Sequence, residues 1–269
     1  MSFLRKVIYT AIGSATFGAG VYITATKFGS RESHKPPTDV QHNSDVGAFI
    51  PRDQSRQVHD YLAPKYDRLV STDEKVAGVT KYRQKLGAAA RGSVLEVAIG
   101  SGRNISFYGA HVTQLTGVDY SNEMMKQAMT KTATQPVKFV VGDAHDLKSL
   151  VGQERFDTVV DTFGLCSFED PVHVLKQMQA VCKPGGQILL LEHGVSSSGW
   201  MRRYMDSNSQ SHAKSWACIY NRDIEDIVEK SGLIVEHKER KYFGTTYFFI
   251  ARPSPQFCET PSSPPSPNN

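Results

Sequence analysis

Cysteine is scarce in this chain, and its few cysteines are widely spaced. They are Cys166, Cys182, Cys218 and Cys258, and no two of them form a CxxC pair. A disulfide scaffold or a zinc site of the usual paired spacing is therefore not expected, and we predict no metal ion. Cys166 and Cys182 lie among apolar residues, which indicates buried small side chains rather than nucleophiles.

A large excess of either charge is also lacking. The chain has 31 Lys and Arg against 27 Asp and Glu, a formal net charge of +4 over 269 residues. No clustered basic face is evident, so we do not expect nucleic-acid binding. The apolar share of 39% and the charged share of 22% are typical of a globular protein, and the length suits one α/β domain with short additions.

The N-terminal part of the chain contains a long uncharged run. Residues 7–26 carry no charge, and a helix of that length spans about 30 Å, the thickness of a bilayer's hydrocarbon core. We therefore predict a single membrane anchor over residues 1–27; a cleaved signal peptide and an organelle presequence are the alternatives. Ala11, Ala15 and Ala19 form a small-residue stripe, against which a partner helix could pack in the bilayer.

Polar segments containing proline flank the middle of the chain. Residues 28–52 have the composition of a flexible tether, because proline and small polar residues disfavour regular structure. Residues 253–269 are rich in Pro and Ser and are predicted to be a disordered tail. The folded domain is thus expected over residues 53–252.

Short β-branched runs alternate with helical patterns through this domain. Seven segments are predicted to be strands, at residues 93–98, 114–119, 137–142, 156–161, 187–192, 234–242 and 245–252. Residues 54–89 precede them and predict two amphipathic helices that could cover a site. The alternation predicts an α/β fold, a doubly wound, Rossmann-like sheet of seven mostly parallel strands, preceded by one transmembrane helix.

The most informative segment covers residues 94–105, where a strand leads into a glycine-containing turn and an expected helix. Gly100 and Gly102 would let the backbone approach a ligand, and the helix N-terminus would suit a negative group. Asp119 ends the next strand, where it can accept hydrogen bonds from two ribose hydroxyls. We expect it to face the glycine turn across a nucleoside-sized cleft. A dinucleotide-binding fold is the rival, but Ile105 stands in place of its third glycine.

Taken in order, the motifs of this chain resemble those of the class I S-adenosylmethionine-dependent methyltransferases. The family's first motif, E/D-x-G-x-G-x-G, matches residues 96–102, with Ala98 in place of its first glycine. The later motifs match VDYS at 118–121, GDA at 142–144, the segment 156–163, and KPGG at 183–186. Ala98 narrows the approach to the ligand and puts the strength of cofactor binding in question.

This resemblance implies S-adenosylmethionine as the cofactor and a set of residues that contact it. Tyr66, within LAPKYD, would lie over the pocket, Glu96 would hold the amino group, and Asp119 would bind the ribose. The acid of the GDA motif and the alanine after it would face the adenine, the two glycines the methionine part, and Phe163 the sulfonium. The implied contact residues are Tyr66, Glu96, Ala98, Gly100, Gly102, Asp119, Asp143, Ala144 and Phe163.

Two further segments, GSGRN at residues 100–104 and LLEHG at 190–194, resemble a narrower group. This group comprises membrane-anchored, mitochondrial methyltransferase-like proteins related to the ubiquinone and menaquinone C-methyltransferases. The resemblance implies a single-pass protein of the mitochondrial inner membrane that acts on a small or lipid-like acceptor.

Catalytic residues are not evident from the sequence. His193 follows the fifth strand and is a candidate proton acceptor, with a structural role as the alternative. Residues 196–220 mix aromatic and basic side chains and are expected on the acceptor side, at a membrane surface or as a cover helix. The sequence thus predicts a methyltransferase acting at a membrane. The alternative is an anchored assembly or RNA-related factor that keeps the fold with little or no turnover, for which Ala98 leaves room.

Overall fold

The computed structural model describes residues 41–43 and 47–258, and every structural statement below concerns that part of the chain. The predicted membrane segment at residues 7–26 and residues 259–269 lie outside it. Among the described residues, the structure contains no helix with the length and apolar character needed to cross a bilayer.

A seven-stranded sheet forms the centre of the protein. Its strands are β3 (Gly92–Val97), β4 (Val112–Asp119), β5 (Val137–Val141), β6 (Phe156–Thr162), β7 (Cys182–His193), β8 (Ile234–Lys241) and β9 (Thr246–Arg252). The order across the sheet is β5-β4-β3-β6-β7-β9-β8. The first five strands pair in parallel, whereas β9 runs antiparallel to both of its neighbours. The predicted α/β fold with a mostly parallel sheet of seven strands is confirmed.

Helices cover both faces of this sheet. They are α1 (Arg52–Val76), α2 (Val79–Ala89), α3 (Asn122–Ala128), α4 (Leu147–Val151), α5 (Pro171–Val181), α6 (Gly199–Trp216), α7 (Ile224–Ser231) and α8 (Pro255–Cys258). Helix α5 is capped by Asp170, whose side chain accepts a hydrogen bond from the His173 N–H. Helix α7 is capped in the same way by the Asp223 side chain.

The core consists of apolar side chains on both faces of the sheet. Strand β7 contributes the run Leu189–Leu191, all of it fully buried, as expected for a central strand covered on both sides. A further apolar cluster lies between α1 and α6 and includes Leu62, Met205 and Trp216. Helix α6 therefore packs against α1, which covers the carboxyl edge of the sheet.

Two of the predicted segment boundaries differ from the structure. Strands β1 (Gln41–Asn43) and β2 (Gly47–Phe49) pair antiparallel, so these parts of the expected tether are folded. The physical reason is burial: Ile50 is 1% exposed, and the Arg222 guanidinium donates a hydrogen bond of 3.0 Å to the Ala48 carbonyl. At the other end, helix α8 lies within the segment expected to be a tail.

The two helices predicted before the first strand are present as α1 and α2, with Gly78 in the left-handed conformation between them. A buried ionic network fixes them to the sheet. Glu74 of α1 accepts hydrogen bonds from Arg83 of α2 and from Arg103, each at 2.6 Å. Arg83 also donates to the Asn104 side chain at 2.6 Å. The cover of the sheet's carboxyl edge is therefore bonded directly to the turn that follows β3.

Candidate functional site

A cleft of about 910 Å³ opens at the carboxyl edge of the sheet. Its walls come from the ends of β3, β4 and β6, at the position where open α/β sheets bind ligands. Eight of the nine residues implied to contact the cofactor line it: Tyr66, Glu96, Ala98, Gly100, Asp119, Asp143, Ala144 and Phe163.

The Asp119 carboxylate is bonded to the glycine turn. One of its oxygens accepts the Gly100 N–H at 2.8 Å, and the other accepts the Ser121 N–H at 2.8 Å. The two features therefore share one wall of the cleft, whereas the sequence led us to expect them on opposite sides. Burial raises the pKa of Asp119. Each oxygen of a carboxylate accepts about two hydrogen bonds, so capacity for two hydroxyl donors remains.

The turn after β3 requires left-handed backbone at three positions. Ala98 has φ 49°, Gly100 has φ 56° and Gly102 has φ 77°. A side chain at Gly100 would meet no atom closer than 3.9 Å, so its open face belongs to the cleft. A side chain at Gly102 would instead collide with Ile105 at 2.8 Å and with Ala128 at 3.0 Å. Gly102 is thus needed for packing against α3 and does not line the cleft, contrary to the role implied for it.

The helix expected after this turn is also absent. Residues Ile105–Phe107 form a single 3-10 turn, and the residues before them are turns. Dinucleotide sites place a pyrophosphate against the N–H groups of a helix N-terminus, and a 3-10 turn of three residues does not provide that row of donors. The dinucleotide-binding alternative is therefore disfavoured twice: the chain lacks the third glycine of the motif, and the described residues after the turn form no helix N-terminus to bind a pyrophosphate.

Glu96 lies at the base of the cleft, and each of its carboxyl oxygens accepts one hydrogen bond. One carboxyl oxygen accepts the Asn104 amide at 2.8 Å, and the other accepts the Tyr108 hydroxyl at 2.8 Å. Burial raises the pKa of Glu96 to about 7, even though these two donors favour its charged form. A cationic group that binds beside Glu96 would therefore favour the ionised form of its carboxyl group.

The adenine-side acid predicted at Asp143 is held in several hydrogen bonds. One oxygen accepts the His145 backbone N–H at 2.9 Å and contacts the His145 ring at 2.6 Å, while the other accepts Arg52 at 3.0 Å. These partners keep the pKa of Asp143 well below its usual range, although burial works in the opposite direction. Arg52 also donates to Glu169 at 2.9 Å, so one guanidinium joins two walls of the cleft.

Two aromatic side chains form the opposite end of the cleft. Phe163 has φ 58°, a left-handed conformation that costs a bulky residue energy and is held here by its surroundings. Its ring stacks on His193 at 5.1 Å between centroids and faces the Arg83 guanidinium at 5.6 Å. Tyr66 of α1 packs edge-on against Trp216 at 6.3 Å, so α6 supports the cover of the cleft.

His193, the candidate proton acceptor, lies behind Phe163 and not in the cleft wall. It is buried, and its Nε2 lies 3.0 Å from the Cys218 sulfur. A molecule in the cleft would reach His193 only if Phe163 moved. The arrangement therefore favours the structural alternative for His193.

Several lining residues were not recognised from the sequence. Helix α1 contributes His59, whose Nδ1 lies 3.0 Å from the Tyr120 hydroxyl, and the same hydroxyl donates to Ser55 at 2.7 Å. Asp60, outside the lining, accepts the Ser121 hydroxyl at 2.6 Å. The further unrecognised lining residues are Arg52, Arg83, Met124, Ser167, Phe168 and Glu169. The amphipathic pattern of residues 54–89 predicted that helices could cover the site. It did not show which of their side chains face the cleft.

Comparison with known proteins assigns the chain to a family. A family model described as a methyltransferase domain matches residues 95–190. The phosphatidylethanolamine N-methyltransferase of Cereibacter sphaeroides is 32% identical over 148 residues, which cover 52% of this chain and 71% of that relative. The chain belongs to the class I S-adenosylmethionine-dependent methyltransferase family. S-adenosylmethionine is the cofactor of that family.

Other similar proteins agree with this assignment. The mitochondrial methyltransferase OMS1 of Saccharomyces cerevisiae is 31% identical over 222 residues. The match covers 76% of this chain and 47% of the relative, so the chain spans about half the length of that protein. The demethylmenaquinone methyltransferase of Renibacterium salmoninarum is 31% identical, covering 56% of this chain and 63% of the relative. Among solved structures, a DhpI complex shares the fold with a TM-score of 0.56 at 17% identity, covering 75% of this chain and 97% of that one.

The left-handed conformation of Ala98 yields a prediction about stability. The Ala98→Gly variant should have a free energy of unfolding higher by roughly 0.5–1 kcal/mol, because relief of left-handed strain exceeds the added entropy of glycine in the unfolded chain. Urea denaturation of both proteins measures this difference. The same substitution at Ala213, inside α6, is the control and should lower stability by about 1 kcal/mol. A loss of stability at both positions would contradict the left-handed turn.

Proposed function

We propose that this protein is a methyltransferase that binds S-adenosylmethionine in the cleft and transfers its methyl group to a small, lipid-like acceptor at a membrane. The observation that carries the proposal is the buried Asp119 carboxylate bonded to the Gly100 N–H at 2.8 Å. This pairing brings a buried carboxylate beside the open face of Gly100 in one cleft, which supports a ribose-binding role for Asp119. Family membership supports the same activity.

The residues of the cleft fit the parts of this cofactor. Asp119 retains acceptor capacity for the two ribose hydroxyls. The open face of Gly100 leaves room for the methionine part of the cofactor. Glu96 is the acid suited to the cationic amino group. Ala144 and Asp143 would contact the adenine, and Arg52, which is hydrogen-bonded to the Asp143 carboxylate, would lie beside the base. The methyl of Ala98 narrows this space without filling it.

The protein's chemical task is positioning. S-adenosylmethionine supplies an electrophilic methyl group on its sulfonium, so the protein has to place an acceptor in line with it and exclude water. Phe163 and Tyr66 line the cleft, and we propose that they face the methyl group of the cofactor. Their apolar surfaces suit a hydrophobic acceptor, and α1 closes the cleft above them through its bonds to the residues after β4.

A lipid-like acceptor agrees with the names of two relatives, which are called a phosphatidylethanolamine N-methyltransferase and a demethylmenaquinone methyltransferase. The uncharged run at residues 7–26 supports a single-pass membrane anchor at this chain's N-terminus. The mitochondrial relative supports a location in mitochondria, and we propose the inner membrane. Together these features favour an enzyme that meets its acceptor at a bilayer surface.

An exposed aromatic and basic face supports contact with that surface. Trp200 is 51% and Phe243 is 53% exposed, and their rings meet edge to face at 6.0 Å. Tyr204 lies one helical turn after Trp200 on the same face of α6. Arg202 and Arg203 are exposed beside them. Aromatic rings flanked by base are typical of protein faces that insert into the headgroup region of an anionic bilayer.

Removal of the ribose-binding acid tests cofactor binding. The Asp119→Ala variant should bind S-adenosylmethionine at least about 100-fold more weakly in isothermal titration calorimetry, because two hydrogen bonds to a charged group are lost. Asp119→Asn keeps the side-chain shape and should also bind weakly. Asp146→Ala alters an exposed acid near the cleft and should bind like the wild type.

Two outcomes would count against this proposal. Wild-type protein without detectable binding at sub-millimolar S-adenosylmethionine would refute the cofactor site. Normal rescue of a deletion strain by Asp119→Ala would instead favour the alternative of an assembly factor that does not need turnover.

The raised pKa of Glu96 gives the site a pH dependence. Cofactor binding to the carboxylate should weaken roughly tenfold from about pH 7.5 to about pH 6, because the protonated acid, whose pKa is about 7, must first lose its proton. Calorimetry across this range measures the effect. Glu96→Gln should bind weakly with a flat pH profile; an equally steep profile in that variant would assign the titration to another group.

The two tryptophans of the chain allow the membrane face to be tested. Trp200 is exposed, whereas Trp216 is 7% exposed and lies about 24 Å farther along α6. In full-length protein reconstituted into phosphatidylcholine–phosphatidylglycerol vesicles, bromine-labelled lipids should quench the fluorescence of Trp216→Phe, which retains Trp200. Trp200→Phe should not be quenched, and equal quenching of the two variants would refute contact through this face.

A further inference from the structure

Three potential metal ligands meet behind the cleft wall. Cys166, His193 and Cys218 are all buried, and their ligand atoms lie within 4.8 Å of one another. The His193 Nε2 and the Cys218 sulfur are 3.0 Å apart. In a tetrahedral zinc site with Zn–S near 2.3 Å and Zn–N near 2.0–2.1 Å, neighbouring ligand atoms lie about 3.5–3.8 Å apart. The cluster therefore needs only small side-chain shifts to surround a zinc ion.

The backbone holds the three ligand-bearing segments together. Cys166 lies in the loop after β6, His193 ends β7, and Cys218 follows α6. The Ile219 N–H donates to the Cys166 carbonyl at 2.9 Å, and the Val195 N–H donates to the Arg222 carbonyl at 2.8 Å. Each of the three residues therefore lies within two residues of a backbone hydrogen bond that joins two of the segments. These bonds hold the three side chains close together without a bound ion.

The chemistry of the donors selects the ion. Two thiolates and one imidazole are borderline-soft ligands, which favour zinc over magnesium or calcium. The charges of two thiolates and one Zn²⁺ cancel, so loading the site adds no net charge to a buried position. The thiol contacts that Cys166 would give up, to the Phe163 carbonyl at 3.3 Å and to the Ser167 hydroxyl at 3.5 Å, are weak hydrogen bonds.

We propose that Cys166, His193 and Cys218 form a zinc site, with three protein ligands and a fourth position for a small ligand. The site is separate from the cofactor cleft, and the metal would secure the loop after β6 to the end of β7 directly behind Phe163. Its proposed role is to hold that wall of the cleft in place. This inference runs against our sequence-based prediction of no metal ion, which considered only the spacing of cysteines along the chain.

Metal analysis of the full-length protein tests the site. Purified protein should be loaded with Zn²⁺ alone under reducing conditions, dialysed, and measured by elemental mass spectrometry; one zinc per chain is expected. In Cys218→Ser and His193→Gln the affinity for Zn²⁺ should fall by more than about 100-fold, beyond the loss caused by removing an outer-shell partner. Cys182→Ser is the matched control, since Cys182 is an equally buried cysteine outside the cluster, and it should retain the metal.

A second measurement keeps the proposal testable if the variants fail to fold. Wild-type protein loaded with Co²⁺ should show the near-ultraviolet thiolate-to-cobalt charge-transfer absorption of a site with two thiolates. Absence of that absorption, or a zinc content of Cys218→Ser equal to that of the wild type, would overturn the proposal. Calorimetry with S-adenosylmethionine on the same samples separates this result from the proposed activity, because a failure of zinc binding leaves cofactor binding intact.

Discussion

The hydrogen bond from the Gly100 N–H to the Asp119 carboxylate is the interaction on which the site depends. It joins the ends of two neighbouring parallel strands, β3 and β4, at 2.8 Å. The bond fixes the glycine turn and orients the carboxylate, whose second oxygen is fixed by the Ser121 N–H. A buried acid held by two backbone donors keeps one orientation, so ligand hydroxyls meet a preformed acceptor rather than a mobile side chain.

The cover of the cleft is built on the same two strand ends. Helix α1 binds the residues after β4 through Ser55, His59 and Asp60. Near its C-terminal end, Glu74 joins the buried network of Arg83 and Arg103, which reaches Glu96 through Asn104. A buried ionic network is costly to break by loss of one partner. Helix α1, the turn after β3 and Glu96 are therefore one connected structure, which explains how α1 shapes the cleft.

The sequence predicted the features that depend on local pattern. Strand periodicity predicted all seven strands, with bounds within about five residues of the observed ones. The ordered motifs predicted the family, and eight of the nine residues implied to contact the cofactor line the cleft. The sequence did not show in which direction each residue faces in the fold. The role of Gly102 in packing against α3 depends on a neighbour far along the chain, and a glycine has the same appearance in either role.

Contacts between segments far apart in the chain could not be predicted from the sequence, because they depend on the three-dimensional fold. Arg52 was assigned to a tether, yet it joins Asp143 and Glu169 across the cleft. Cys166 and Cys218 stand 52 residues apart in the sequence, and only the fold brings them to His193. The roles of the individual contact residues, the anchor and the acceptor remain predictions.

Binding of S-adenosylmethionine in the cleft can be tested by mass spectrometry of the small molecules that the purified full-length protein retains. We expect S-adenosylmethionine or its demethylated product to be released on denaturation, in a ratio approaching one per chain after dialysis against S-adenosylmethionine. A protein that carries no adenosyl compound as purified, and takes none up on dialysis, would contradict it.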